Sequence, residues 1–318
     1  MKKMTPDNFI SQLYRQSSLI PLEEFSTWAL NLLQQVIPFD GAVWATGHVS
    51  TQTFHTQANI DVPEEIFVQL KKHLAINPIF EKLLLNEGGA VDMRDVLADK
   101  EFYQSDLYHQ CFKPFSIERI LSSIHIDQRS GIFTLLSLYR YHRDEPFSVE
   151  EKQIQNRLLY HLLCAASHRQ LLALTQKDEQ EDYSSKSAIC DNAGIYHCVD
   201  PSFLDILESH LNQPNSQKFP FEIKEQQVQF TEGNLQFEQQ KHGDLYRLTV
   251  RVQHKLDLLS EREKQVVEGI CQGRTFKLIA RDLRLSPSTV SNHLYRIYLK
   301  LGIHNRSELV AIANKINQ

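Results

Sequence analysis

The C-terminal stretch from Leu258 to Ile316 leaves the least freedom of any part of this chain. It reads LLSEREKQVVEGICQGRTFKLIARDLRLSPSTVSNHLYRIYLKLGIHNRSELVAIANKI. Ser260 precedes Glu263 by three positions, the spacing of a reciprocal capping box. Gly273 then supplies a left-handed stop. Thr275 caps a second helix, which is expected to bury Leu278, Ile279 and Leu283. Ser286 caps a third with Pro287 at its first position, where a missing N–H costs nothing. Val290, Leu294, Ile297 and Leu301 form its apolar stripe, and Gly302 ends it. Asn305 caps a fourth helix holding Leu309, Ile312 and Ala313. Only Arg284–Ser286 separate the second helix from the third, and small Ala280 lets the two approach. That is the link length of a helix-turn-helix pair.

Charge separates this module from the rest. Residues 255–318 carry 11 Lys and Arg against 6 Asp and Glu, a net of +5. The remaining residues carry 23 against 33, a net of −10. A basic module on an acidic body is the electrostatic pattern of a nucleic-acid reader joined to a unit with another task. In a helix-turn-helix pair the second helix enters the major groove of duplex DNA.

Residue by residue, the module resembles the LuxR/NarL-type DNA-binding domain. The resemblance rests on L-S-E-R-E at 259–263, Gly273, K-L-I-A at 277–280, L-x-L-S at 283–286, S-T-V-S-N-H at 288–293, K-L-G at 300–302 and R-S-E-L at 306–309. It implies base reading by Ser291, Asn292 and Tyr295. It also implies phosphate contacts from Lys277, Thr289 and Arg296, with Ser288 on the same surface. Asn can bond adenine through two atoms at once, which singles out Asn292. Many relatives carry Lys where Ser291 and Tyr295 stand, so a shallower salt dependence is expected here. The family dimerises, partly through its fourth helix, to read two half-sites of an inverted-repeat operator. Leu309, Ile312 and Ile316 either serve that contact or complete the core, and the long helix from Ser148 offers a second contact.

Upstream, three units are expected: 1–176, 183–253 and 256–318, with the polar run Gln176–Lys186 as a linker. In the first, Leu22–Ile37 has helical spacing, Gly41–Val49 and Thr53–Ile60 read as strands, and Pro63–Leu85 as a helical region. Ile120–Asp127 and Gly131–Tyr141 form a second strand pair. Ser148 and Glu151 make a capping box for a helix reaching about Leu174. The overall class is α+β, with an antiparallel sheet between helices in the first unit and an all-α C-terminal module. The stretch from Asp127 to Ala166 resembles the later half of GAF-like sensor domains, which implies a small molecule held between sheet and connecting segment. Phe102, Tyr103, Tyr108, Phe112 and Phe115 in that connection either line such a pocket or fill an ordinary core.

The middle unit is shorter. Asp191-Asn192-Ala193-Gly194 is a turn between strands, a helix opens near Pro201, and strands are plausible at Gln226–Phe230, Leu235–Gln239 and Leu245–Val252. This resembles a reduced PAS domain, with a spacer or dimerisation role.

Several classes find no support. Five sparse cysteines without C-x-x-C spacing suggest neither disulfides nor zinc. There is no Gly-rich phosphate loop, nucleophile elbow or paired metal-binding histidines, so no catalysis, metal or cofactor is expected. Neither a signal peptide nor a membrane span is read, which points to a cytoplasmic protein. The chain therefore reads as a homodimeric, ligand-responsive transcription regulator. Two alternatives stay open. An acyl-homoserine-lactone receptor is disfavoured by the extra middle unit and by the lack of the Trp pair with spaced Tyr and Asp that those pockets use, Trp28 and Trp44 being the two tryptophans present. The other is a regulator governed by protein contact alone.

Overall fold

The computed structural model describes residues 4–51, 53–85, 89–175, 185–211, 217–226 and 228–314. The expected linker lies largely outside these residues, as does Ile316. The chain divides into two compact units. One comprises residues 1–181, 186–228 and 238–249, the other 182–185, 229–237 and 250–318.

The larger unit begins with α1 (Pro6–Gln16) and α2 (Leu22–Gln34), followed by the antiparallel strands β1 (Gly41–His48) and β2 (Thr53–Ile60). Next come α3 (Glu65–Lys72), α4 (Pro78–Leu85), the short β3 (Val91–Asp92) and α5 (Asp99–Gln104). A π-helical turn, Tyr108–Phe112, leads to β4 (Arg119–Ile126), β5 (Ile132–Arg140) and α6 (Val149–Thr175). The sheet runs β2-β1-β5-β4-β3.

Both faces of this sheet are covered, and strand alternation decides what goes where. From β1, Ala42 and Trp44 face α1, α2 and α6, whereas Val43 and Ala45 face the opposite core. From β5, Leu136 and Leu138 join the first core; Phe133, Leu135 and Tyr139 join the second. The two-sided burial explains the near-continuous apolar runs of these strands. Ser148 and Glu151 form the expected cap of α6: Glu151 Oε2 accepts from Ser148 N at 2.9 Å and Ser148 Oγ from Glu151 N at 3.2 Å. The N-terminal helix α1, for which the sequence carried no expectation, buries Phe9 and Leu13 fully. The single helical region expected over 63–85 is two helices, broken before Pro78, which disfavours helical backbone at Asn77.

Arg140 closes this unit. Its five N–H groups donate to Pro38 O (3.1 and 2.8 Å), Glu145 O (3.2 Å), Pro146 O (2.9 Å) and Glu151 Oε1 (2.8 Å). Its guanidinium lies 4.2 Å from the centre of the Phe147 ring.

β6 (Lys186–Cys190), β7 (Tyr196–Val199) and α7 (Pro201–His210) pack onto the β4–β5 turn and the edge of β1 and β2. The expected turn is present: Asp191 Oδ1 accepts from Ala193 N and Ile195 N, and Gly194 takes a positive φ. Arg129 donates to Asp205 at 2.7 Å and Glu208 at 3.0 Å. Buried His48 donates through Nε2 to the carbonyls of Ser130 (2.9 Å) and Gln217 (2.8 Å). Its Nδ1 accepts from Ser50 N at 3.2 Å. His55 stacks on His197 with centroids 3.6 Å apart, and burial, then the neighbouring His197, pushes its pKa down to about 4.

β8 (Gln229–Glu232), β9 (Leu235–His242) and β10 (Leu245–Val252) complete a second sheet of order β7-β6-β10-β9-β8. The smaller unit then holds α8 (Glu261–Cys271), α9 (Phe276–Asp282), α10 (Pro287–Leu301) and α11 (Arg306–Asn314). Among the described residues no helix is long and apolar enough to cross a membrane, and no group of three His, Cys, Asp or Glu is placed to hold a metal ion. All five cysteines are free thiols.

Candidate DNA-binding surface and candidate ligand cavity

Local side-chain chemistry starts each C-terminal helix. Ser260 and Glu263 cap one another's backbone N–H, Thr275 Oγ1 accepts from Leu278 N at 3.4 Å, and Ser286 Oγ from Thr289 N at 3.1 Å. Asn305 Oδ1 accepts from Glu308 N at 2.9 Å. Between α9 and α10 the chain reverses through Arg284 at φ 55°, closed by a 2.7 Å bond from Leu285 N to Ala280 O. A β-carbon on Gly269 would come within 2.8 Å of Ile279 Cγ1, so the absent side chain is what lets α8 and α9 meet.

Packing then sorts the faces of α10. Val290, Ile297 and Leu301 are buried, with Leu294 and His293 half-buried. Ser288, Ser291, Asn292, Tyr295 and Arg296 are exposed, and Thr289 is half-buried with its hydroxyl 2.8 Å from Ser286 Oγ. Lys277 is exposed on α9. Among the described residues Lys277, Arg284 and Arg296 enter no salt bridge, which leaves three cations free for phosphate. One expectation fails: Leu278 is 40% exposed, because Ile279 and Ala280 supply the buried face of this short helix. Leu309 is fully buried in the four-helix core, so it is unavailable for a dimer contact; Ile312 is half-buried.

Glu263 anchors the arrangement and was read from the sequence only as a cap. Its Oε2 accepts from Ser260 N (2.8 Å), Ser260 Oγ (3.0 Å) and Lys300 Nζ (2.6 Å). Burial pushes the carboxyl up, but the bonds from Lys300 and Ser260 outweigh it and hold its pKa at about 2. The end of α10 is thereby tied to the start of α8.

In the larger unit, a cavity of about 100 Å³ lies between the β4–β5 face and the helices α3 and α4. Its wall is almost wholly apolar, including Leu70, Phe80, Ile124 and Phe133. Its polar lining residues are Lys71, Asn77, Ser122, Ser137 and Tyr139. Ser122 and Ser137 are cross-strand neighbours whose hydroxyls pair at 2.7 Å. Tyr139 is fully buried, and its hydroxyl has no hydrogen-bond partner among the described residues.

The aromatic residues expected around a ligand divide differently. Phe112 lines the cavity, but Phe102, Tyr103, Tyr108 and Phe115 do not. Phe102, Tyr103 and Tyr108 pack in tilted and edge-to-face arrangements with centroids 5.0–5.2 Å apart. Tyr103 Oη donates to Glu118 O and Tyr108 Oη to Glu118 Oε1, so their polar ends are satisfied within the fold. Phe115 is half-buried against the same core. An aromatic-rich connection signals burial without telling which side of it is hollow. The residues that line the hollow are ordinary strand and helix apolar positions, for which no local signal exists.

A capped pair of helices in helix-turn-helix geometry, with a polar exposed face and free flanking cations, defines the C-terminal unit as a DNA-binding domain of that class. Residues 257–313 match the family model described as bacterial regulatory proteins, luxR family, so this domain is of the LuxR type. The probable transcriptional regulatory protein NarL of Mycobacterium tuberculosis is 43% identical over 56 residues, 18% of this chain and 26% of that protein. The response regulator UvrY of Escherichia coli is 44% identical over 55 residues, 17% of this chain and 25% of that protein. The chain thus spans about a quarter of the length of the curated relatives it matches. Among solved structures, Escherichia coli SdiA is 15% identical with a TM-score of 0.38, over 98% of both chains. The GAF domain of a phosphoenolpyruvate-protein phosphotransferase from Coxiella burnetii is 14% identical with a TM-score of 0.39, over 55% of this chain and 99% of that one.

Proposed function

We propose that this chain is a cytoplasmic, dimeric, sequence-specific DNA-binding transcription regulator, with no catalytic activity, whose larger unit responds to a small molecule. The observation that carries the reading is the exposed face of α10, with Asn292 and Arg296 presented to solvent on a capped, tightly anchored helix. The operator is an inverted repeat, since one recognition helix covers too few base pairs. Residues 183–253, PAS-like in this reading, serve as a spacer. Selection of bound fragments from a random duplex pool by the full chain tests the proposal. Replacing Asn292 and Arg296 together with alanine is expected to lower affinity for the selected site at least tenfold, at unchanged thermal stability. Equal binding by the double variant overturns the assignment of α10.

The ligand is small and largely apolar. Apart from Lys71, Asn77, Ser122, Ser137 and Tyr139 the wall is apolar and gives a buried charge few partners, and a cavity of this size admits little more than a single ring. This argues against a long acyl lactone. So does the position of Trp44, whose ring packs in the core on the opposite sheet face. A panel of neutral small aromatics and aliphatics, together with a cell extract, is screened by thermal shift. A binder at 100 times its Kd is expected to stabilise the protein by about 2.7 kcal/mol. Ile124→Phe fills the cavity and is expected to abolish the shift. No shift with any compound or extract favours control through protein contact instead.

A further inference from the structure

We infer that α10 selects an A·T base step in each half-site, with Asn292 reading adenine and the Tyr295 ring packing on the C5-methyl group of a thymine. The inference rests on the DNA-binding reading above and specifies its target.

The argument starts from what the outward stripe of α10 contains. At 100° per residue, Ser288, Asn292, Tyr295 and Leu299 fall within one narrow band, with Ser291 beside it. Tyr295 is 65% exposed and Leu299 66% exposed. No residue of the band carries a charge. The cations lie elsewhere: Arg296 at the edge of the stripe, Lys300 tied to Glu263, Lys277 on α9 and Arg284 in the turn. The commonest specific contact in the major groove is a bidentate Arg or Lys bond to the O6 and N7 atoms of guanine. The centre of this stripe holds no group able to make it.

It holds instead the two groups suited to the other base pair. An Asn amide matches the N6 donor and N7 acceptor of adenine, and apolar surface matches the thymine methyl. An exposed tyrosine ring costs free energy in water and regains it on covering a methyl group. Axially, three residues along a helix span about 4.5 Å, against about 3.4 Å between stacked bases. Asn292 and Tyr295 therefore address the same or adjacent base pairs. Leu299 lies a further turn along the stripe, where the helix leaves the groove floor. The hydroxyls of Ser288 and Thr289 are already engaged with Ser286 at the helix start, so they position the helix rather than compete for bases.

The test uses the full chain and the half-site recovered by selection. Enrichment of A·T at two adjacent positions per half-site is the expected result. Replacing thymine by uracil at the Tyr295 position removes only the methyl group. Loss of that contact is worth about 0.8 kcal/mol, or roughly a fourfold rise in Kd. Tyr295→Ser is expected to cost at least as much and to bind the thymine and uracil duplexes equally. Its fold is not at stake, because the ring is exposed; an unchanged melting temperature checks this. Asn292→Ala is expected to flatten the adenine preference. Equal binding of both duplexes by the unaltered protein overturns the inference while leaving DNA binding intact, as does a selected half-site with G·C at these positions. Failure to select any sequence overturns the DNA-binding reading itself.

Discussion

Replacing Arg140 with alanine is expected to destabilise the larger unit by about 4 kcal/mol, the loss typical of breaking a buried, fully bonded charge pair. All five guanidinium protons are used, four of the five bonds going to carbonyls of the loop that precedes α6 and the segment that precedes β1. Alanine strands those carbonyls and the Glu151 carboxylate in a buried site, and it also removes the cation from the Phe147 ring. Lysine offers three donors from a single point and cannot reproduce the fork, so Arg140→Lys is expected to restore less than half of the loss. Thermal unfolding of the three proteins measures this; a shift under about 3 °C for the alanine variant contradicts the account.

The second large effect concerns Glu263. Its alanine variant loses the helix cap, the bond to Lys300 and the link between α8 and α10, at a combined cost of about 3 kcal/mol to the C-terminal domain. Glutamine keeps an acceptor for the Ser260 N–H but not the charge pair, and should fall between. The pH dependence follows from the same bonds. The folded-state pKa, about 2, lies below the ordinary value of 4.5. The stabilisation is therefore fully present above about pH 4.5 and disappears as pH falls from there through 2. Neither tryptophan lies in this domain, so amide hydrogen exchange in α8–α11 is the suitable readout. As pH falls across that window, protection factors (exchange relative to the intrinsic rate at each pH) in the unaltered protein should fall more steeply than in Glu263→Gln. Parallel curves would mean that the carboxylate contributes nothing.

These two residues also mark the boundary of what the sequence discloses. The C-terminal domain was readable almost to the residue, because Ser260, Thr275, Ser286 and Asn305 act on N–H groups three positions away. The strands β1, β4 and β5 were readable from their apolar runs, since burial on both faces reaches nearly every position, and the edge strand β2 from its pairing with β1 across a short turn. Arg140, by contrast, is simply the end of a strand in the sequence; its partners lie up to 102 positions away. The same applies to the cavity. Whether Phe102 and Phe112 face one another or a hollow depends on how α3, α4 and the π-helical turn meet the sheet, and no spacing rule encodes that. Leu278 was misplaced for a related reason: a helix of seven residues buries so little that one apolar side chain can remain outside.

The bonds of Arg129 and His48 have a practical bearing on protein engineering. A chimaera fused between α6 and β6, at the polar stretch that invites a cut, would strip Asp205 and Glu208 from Arg129 and the Gln217 carbonyl from His48. A cassette that instead extends through Val252, with its junction at Gln253, keeps these pairings whole.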